Sequence, residues 1–228
     1  MKGLLIILGI SLGLTSGIAQ CNKFYQLYQG SEWELESYNP KGKLTGKQTQ
    51  KVVSYSEGPG SFKATVHSVV FDKKGKEVMQ GNLNFECQGG TMVVDMRNFI
   101  NEEQMKAFQN YEMQVESDNL EIPDDLSVGQ DLKDGTVTIT AANSPMPMTM
   151  SVKITNRKIV GKGPITTPAG TFECYKVTST STVNTKMGIG LTFNYTTVEW
   201  LAPKVAVVKS ESYRNGKLQG YTQLTRRN

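Results

Sequence analysis

The first side chain to consider for chemistry is His67, the single histidine among the 228 residues. A Ser-His-Asp hydrolase needs its histidine base within hydrogen-bond reach of a nucleophile on a strained turn. Beyond the apolar leader the sequence contains no Gly-x-Ser-x-Gly motif, and His67 alternates with Thr65 and Val69 inside an apparent strand. We therefore predict that His67 lies on a strand surface or is partly buried, and that it is not a catalytic base.

The segment Met146–Met150 carries three methionines at a period of two, so all three share one face if the segment is extended. Thioether sulfur is a soft ligand suited to Cu(I), which makes a copper site one interpretation. We favour the other, that flexible methionines line a core or a hydrophobic groove, because prolines interrupt the segment. Met148 and Met150, together with Met105, are predicted to line the wall of an apolar cavity.

Other patterns for metal binding and acid–base chemistry are incomplete. The three cysteines are 66 and 87 residues apart with no Cys-x-x-Cys pair, so zinc and haem templates do not fit. The segment Asp131–Gly135 lacks the third-position ligand and the closing glutamate of a calcium loop. The carboxylates of Glu102 and Glu103, or of Asp124 and Asp125, are adjacent and cannot flank one sugar bond. We predict no enzyme activity, no metal and no cofactor.

Residues 1–20 have the organisation of a signal peptide. A basic start at Lys2 precedes an apolar run, Gly3–Leu14, which is too short to span a bilayer as a helix. Cleavage after Ala19 would leave Gln20 as the new N-terminus. Lipoprotein processing before Cys21 is the alternative, but it requires a small residue where Gln20 stands. We expect export to the periplasm or the outer membrane, without favouring a lipid anchor at Cys21, and a mature chain that does not span the membrane.

The three cysteines, Cys21, Cys87 and Cys174, allow three single pairings in an oxidising compartment, and each pairing leaves one thiol over. A lipid on Cys21 would leave Cys87 and Cys174 to pair. The predicted disulfide is therefore Cys87–Cys174, with Cys21 as the alternative partner.

The charge of the chain does not identify a partner. The formal net charge is +4, and several lysines are spaced along predicted hairpins. Only Arg226 and Arg227 form a short basic run. A nucleic-acid interface requires a basic face with stacking aromatic residues, and the sequence indicates neither. We therefore exclude nucleic acid as a partner.

Short alternating runs rich in threonine, valine and aromatic residues predict a mainly β protein. A hairpin pattern recurs at 36–46, 70–77 and 211–220, where an aromatic strand end leads into a polar turn that contains glycine. Several strands are long and their connections are short, which favours antiparallel pairing in a large curved sheet, an open barrel or a half-barrel. The clearest strands are 52–55, 64–71, 82–87, 91–96, 136–141, 149–159, 172–183, 191–201 and 205–213.

One short helix is predicted near residues 101–108. Asn101 is placed to cap it, and Gln104 follows three residues later as in a capping box. Met105 and Phe108 mark its apolar face, so we expect the helix to lie against the sheet. The polar stretch 118–135 is interpreted as a loop, which leaves residues 21–228 as a single domain.

The stretch Pro164–Val177, with its Thr-Pro-Ala-Gly-Thr-Phe turn, resembles a family of exported, β-rich proteins of Gram-negative bacteria labelled TapB-like, a domain of unknown function. The likeness extends over almost the whole mature chain and implies an envelope location but no established reaction. Ala206 stands where related sequences place glycine, so the bulge or sharp twist expected there is in doubt. Other similar stretches are Cys21–Gly30, Phe85–Cys87, Asp95-Met96, Ile154–Lys158, Val198–Trp200 and Glu211–Tyr221.

The function predicted from these features is non-enzymatic binding of an apolar ligand or a lipid in the cell envelope. A concave sheet partly covered by a helix is a common shelter for such a ligand, although this argument rests on fold analogy. The alternative is a structural or interaction protein that holds an envelope protein through its sheet edges. A hydrolase is the third candidate.

Overall fold

The computed structural model describes residues 21–25, 27–100, 108, 110–146, 148–187 and 189–228. The predicted signal peptide, Met105 and the predicted helix apart from Phe108 lie outside these residues. Within them, a short 3₁₀ helix spans Met96–Phe99. The thirteen strands are β1 Glu32–Tyr38, β2 Leu44–Gly58, β3 Ser61–Asp72, β4 Glu77–Gln88, β5 Thr91–Val94, β6 Glu112–Asp118, β7 Leu120–Ile122, β8 Gly135–Ala142, β9 Met148–Thr167, β10 Gly170–Met187, β11 Ile189–Ala202, β12 Ala206–Arg214 and β13 Lys217–Arg227.

All thirteen strands belong to one antiparallel sheet, in the order β6-β8-β9-β10-β11-β12-β13-β1-β2-β3-β4-β5-β7. The sheet curls into a nearly closed barrel with one unsealed seam, which confirms the predicted fold class. The seam lies between β6 and β7, the two ends of the strand order. These strands are consecutive in the chain and only Asn119 separates them.

The barrel has two distinct ends, because neighbouring strands run in opposite directions. The connections β1–β2, β3–β4, β8–β9, β10–β11 and β12–β13 lie together at one end, here called the hairpin end. The connections β2–β3, β4–β5, β9–β10 and β11–β12 lie at the opposite end, here called the covered end. The three turns predicted from the recurring hairpin pattern are all at the hairpin end, and Gly42 and Gly75 adopt φ values of 73° and 81° in two of them.

Alternation along each strand builds the core. In β3, for example, Phe62, Ala64, Val66 and Ser68 are buried while the residues between them are more exposed. Their cross-strand partners continue the same face around the barrel, as Val66 does opposite Val52 and Leu83. The largest buried cluster therefore collects side chains from most of the strands on the inner face.

The covered end is filled by the N-terminal segment, residues 21–25 and 27–31. Phe24 is almost fully buried and meets the ring of Tyr175 edge-on, with ring centroids 5.7 Å apart. Its carbonyl oxygen accepts a hydrogen bond from Ala206 N at 2.9 Å, at the β11–β12 connection. Ala206 has φ 70°, and the β11–β12 pairing shifts register nearby. The irregularity expected at this position is thus present, although the residue is alanine.

The disulfide fixes the same segment to the barrel. Cys21 is joined to Cys87, at the end of β4, with an S–S distance of 2.07 Å and a Cα–Cα distance of 6.1 Å. The predicted Cys87–Cys174 pair is therefore contradicted, and Cys21, the alternative partner, is the one used. The reason is positional. Cys174 is a buried free thiol on β10 that packs in a separate cluster with Trp200, whereas Cys87 lies where the N-terminal segment begins.

Candidate functional site

The inner face of the barrel encloses a cavity of about 340 Å³ beneath the N-terminal segment. Its apolar wall comes from two directions: Tyr25 and Leu27 of the N-terminal segment, and Trp33 and Leu35 of β1. These β1 residues are two positions apart and so share one face of the sheet, the face on which their β2 partners Gln50 and Gln48 also line the cavity. The other lining residues are Gln48, Gln50, Phe85, Phe99, Glu199, Val205, Ala206, Val207, Ser210, Thr222 and Arg227.

One acidic side chain lines the cavity, that of Glu199 near the end of β11. Burial raises the pKa of the Glu199 carboxyl, and the positive charge of Arg157 acts against that rise. Burial, and next the negative charge of Glu199, raise the pKa of the Tyr25 hydroxyl well above its ordinary value. Arg157, Glu199 and Tyr25 thus form an electrostatically coupled set, and two of the three, Glu199 and Tyr25, line the cavity.

Arg157 also ties together the two sides of the seam. Its side chain is 5% exposed, and Nη1 donates hydrogen bonds to Glu121 O of β7 at 3.1 Å and to Lys133 O at 2.5 Å. Burial lowers the pKa of the guanidinium, and the charges of Glu199, Tyr25 and Asp134 oppose that shift. Because β9 and β7 belong to opposite ends of the strand order, this arginine links them where no strand pairing exists between them.

A second cavity, of about 450 Å³, lies on the other side of the N-terminal segment. It is lined by Tyr55 and Phe62 of β2 and β3, whose rings are 5.6 Å apart, and it also touches Cys21. Tyr25 and Leu27 line both cavities. The N-terminal segment is therefore the partition between two spaces inside the covered end.

The methionines predicted to line a cavity lie elsewhere among the described residues. Met150 is 1% exposed and packs with Phe108, Ile139 and Ala141, and Met148 is partly buried against that cluster. Neither lines the cavities described above. Met105, the third predicted wall residue, lies outside the described residues.

The position of His67 matches the strand-surface interpretation. It is half-buried on β3, and Nδ1 is 3.1 Å from Asn82 Oδ1 on the neighbouring strand β4. In the part of the chain that the structure describes, no three His, Cys, Asp or Glu side chains are grouped so that they could hold a metal ion.

Sequence reasoning did not single out Glu199 or Arg157 as site residues. Both lie in stretches that carry the family resemblance. The resemblance alone does not show that either charged side chain lies on an inner face. The available signal was alternation: Glu199 is in phase with Leu201, and Arg157 is in phase with Ile159, both of which are buried. A charged residue in a run of inward positions is a site candidate, because burying a charge is costly unless a partner is present.

The comparison with protein families identifies residues 28–224 as matching the description DUF3108-like. The chain belongs to the DUF3108-like family. The match agrees with the resemblance to an exported domain of unknown function, while the narrower TapB-like name is not part of it. No curated protein matches the chain.

Two crystal structures share the fold of this DUF3108-like chain. One, from Bacteroides fragilis, is described as a "putative exported protein with YmcC-like fold"; it is 24% identical, has a TM-score of 0.71, and the match covers 91% of this chain and all of that one. The other, from Parabacteroides distasonis, is described as a "putative lipoprotein"; it is 23% identical, has a TM-score of 0.72, and the match covers 92% of this chain and all of that one. No helix among the described residues is long and apolar enough to cross a membrane.

Proposed function

We propose that this protein is a non-enzymatic carrier or receptor that binds an apolar small molecule or a lipid in the cavity beneath its N-terminal segment. The observation that carries the proposal is the cavity itself, an inward-facing space walled by Trp33, Leu35, Leu27 and Val207. Its volume of about 340 Å³ falls within the range of small-molecule sites, which are mostly apolar with a few polar groups that fix orientation.

Polar side chains line the cavity beside the apolar ones. Gln48 and Gln50 project from β2 on one side, and Glu199 and Arg227 lie on β11 and β13. A ligand with an apolar part and a polar group would match this mixed lining. This arrangement supports a ligand with one polar end more than a plain hydrocarbon, because a hydrocarbon would place apolar atoms against charged side chains and shield them from water.

The disulfide supports an extracytoplasmic location, because disulfides persist in oxidising compartments such as the bacterial periplasm. It also supports ordinary secretion over lipidation. The Sγ atom of Cys21 is bonded to Cys87 and is not available for the thioether bond of a lipid anchor. We therefore propose the periplasm as the location.

The test is native and then denaturing mass spectrometry, without reduction, of the protein purified from its own envelope. We expect an apolar molecule to leave on denaturation. A second assay uses N-phenylnaphthylamine, a neutral apolar dye that fluoresces when it is shielded from water. Val207→Phe, which fills the cavity, should lower the dye affinity about tenfold. The control is Val53→Phe, the same change at a valine that is 45% exposed and outside the cavity lining. A bare chain together with equal dye affinities for both variants would overturn the proposal.

A second candidate, an interaction protein that pairs through a sheet edge, is favoured by one observation. All seven residues of β6 are exposed, including Met113 and Val115, and β6 has a single neighbour, β8, among the described strands. An exposed edge of this kind can receive an extended segment of another protein. Purification of a chain that holds a protein partner and no apolar molecule, with loss of that partner when Val115 is replaced by proline, would favour this candidate over the carrier.

A further inference from the structure

The hairpin end of the barrel gathers basic residues that are far apart in the sequence. Antiparallel pairing brings the last pairs of three hairpins to this end: Tyr38↔Leu44, Phe71↔Glu77 and Arg214↔Lys217. The turns beyond the first two pairs contain lysines, and the third pair is itself basic. With the end of β10, they contribute eight exposed basic residues, Lys41, Lys43, Lys73, Lys74, Lys76, Lys186, Arg214 and Lys217.

These basic residues are poorly neutralised by their neighbours. None of them takes part in the ten ion pairs formed between the described residues, all of which involve basic residues elsewhere. Among the described residues, three acidic side chains lie at the same end, on Asp72, Glu77 and Glu112. The Asp72 carboxylate accepts hydrogen bonds from the backbone N–H groups of Lys74 and Lys76 within its own turn. Counted over the described residues, the hairpin end therefore carries a net positive charge.

An apolar tip projects from the same end. The β10–β11 hairpin closes at the Met187↔Ile189 pair, whereas β11 pairs with β12 only from Thr196 onward. The free length, Ile189 to Tyr195, extends roughly 20 Å past β12 at about 3.3 Å per residue. Ile189 is 82% exposed and Leu191 is 54% exposed at the tip. These two residues are two positions apart and share a face of β11, and neighbouring exposed apolar side chains mark an interaction surface more often than a single one does.

We propose that the hairpin end docks onto an anionic phospholipid surface, with the β10–β11 tip entering the headgroup region and the surrounding lysines contacting phosphates. This inference goes beyond ligand binding in the cavity and does not depend on it. Basic residues near an anionic leaflet and apolar residues buried at the headgroup boundary are the two terms that hold a peripheral protein on a membrane. A soluble nucleic acid fits less well, because its binding uses aromatic rings for stacking, and this tip is aliphatic.

The test measures sedimentation of the mature protein with vesicles. We expect binding to vesicles that contain phosphatidylglycerol, at least tenfold weaker binding to vesicles of phosphatidylcholine alone, and a decline with added salt. Reversal of two adjacent charges, Lys73→Glu with Lys74→Glu, should weaken binding about 25-fold or more, since each basic residue near the surface is worth about fivefold. Ile189→Ser with Leu191→Ser should weaken it about tenfold while the salt dependence remains.

Matched controls are available away from the hairpin end. Lys204→Glu with Arg226→Glu reverses two exposed charges at the covered end, and Val128→Ser removes an apolar side chain that is 58% exposed in the loop before β8. These variants should bind vesicles as the unchanged protein does. The proposal is overturned if the two lipid compositions bind equally, if the hairpin-end variants bind no more weakly than the controls, or if the protein binds heparin but no vesicle.

Discussion

The side chain of Asn22 holds the N-terminal segment in place, and its removal should be one of the most destabilising single changes in the protein. It is fully buried. Nδ2 donates to Gly90 O at 2.9 Å and to Ile122 O at 3.0 Å, while Oδ1 accepts from Phe24 N at 2.9 Å and from Tyr25 N at 3.3 Å. One amide therefore connects the β4–β5 turn, the end of β7 and the backbone of the segment itself.

Asn22→Ala would leave these four backbone groups without their partner, and three of the four hydrogen bonds are buried. An unsatisfied buried group costs about 1–3 kcal/mol. Because some of the groups can relax towards water, we expect a total loss of about 3–5 kcal/mol in the free energy of unfolding, at the upper end for point mutations. The N-terminal segment should also loosen between its disulfide and β1.

The measurement is unfolding by guanidinium chloride without reductant, followed by the fluorescence of the two tryptophans. Gln29→Ala is the matched control, because its amide lies in the same segment and donates one exposed hydrogen bond, to Val53 O at 3.1 Å. That change should cost no more than about 0.5 kcal/mol. If Asn22→Ala destabilised the protein no more than the control does, the role assigned to the buried amide would be refuted.

Three further outcomes are expected. Ala206→Gly should raise the free energy of unfolding by about 0.5–1 kcal/mol, seen as a higher thermal midpoint, because φ 70° strains alanine but not glycine; a lower midpoint would contradict this. Gly135→Ala should lower the free energy of unfolding by about 1–3 kcal/mol through overpacking, because the added Cβ would lie 2.6 Å from Leu120 Cδ2. Its control, Gly190→Ala, adds a Cβ that meets nothing within 4 Å and should be neutral in the same denaturation assay. Burial raises the pKa of the Cys174 thiol to about 11, so Ellman's reagent at pH 8 should react slowly with the native protein and reveal one thiol after unfolding without reduction; three thiols would contradict the disulfide.

The sequence was informative wherever the signal is local. Alternation predicted a strand over 64–71, and β3 spans Ser61–Asp72. The glycine-containing turns predicted at 36–46 and 70–77 are present between their strands. Periodicity and turn residues act over a few positions, which is why they can be read without knowledge of the rest of the chain.

The pairing of distant parts could not be predicted in the same way. The choice of Cys21 over Cys174 depends on Asn22, which fixes the N-terminal segment beside the end of β4. The residues around Cys87 in the sequence do not predict that contact. The cavity was likewise assigned to methionines, because the inward face of β11 that carries Glu199 is defined only once its neighbours are known. The positive hairpin end was missed because each of its turns alone is an ordinary polar turn.

The strands β1 and β13 are neighbours in the sheet but distant in the sequence, and this limits the order in which the sheet can form. Trp33 pairs with Arg227, and the backbone N–H of Asn228 donates to Glu32 O at 3.0 Å. A ribosome makes β1 first and β13 last, so one edge of β1 stays open while nearly two hundred residues follow. Contacts between such distant positions form slowly, because the chain between them must lose conformational entropy before the contact can stabilise the fold. Until β13 has been synthesised, the open edge of β1 can pair with other chains. The nascent protein must therefore fold quickly or be bound by a chaperone.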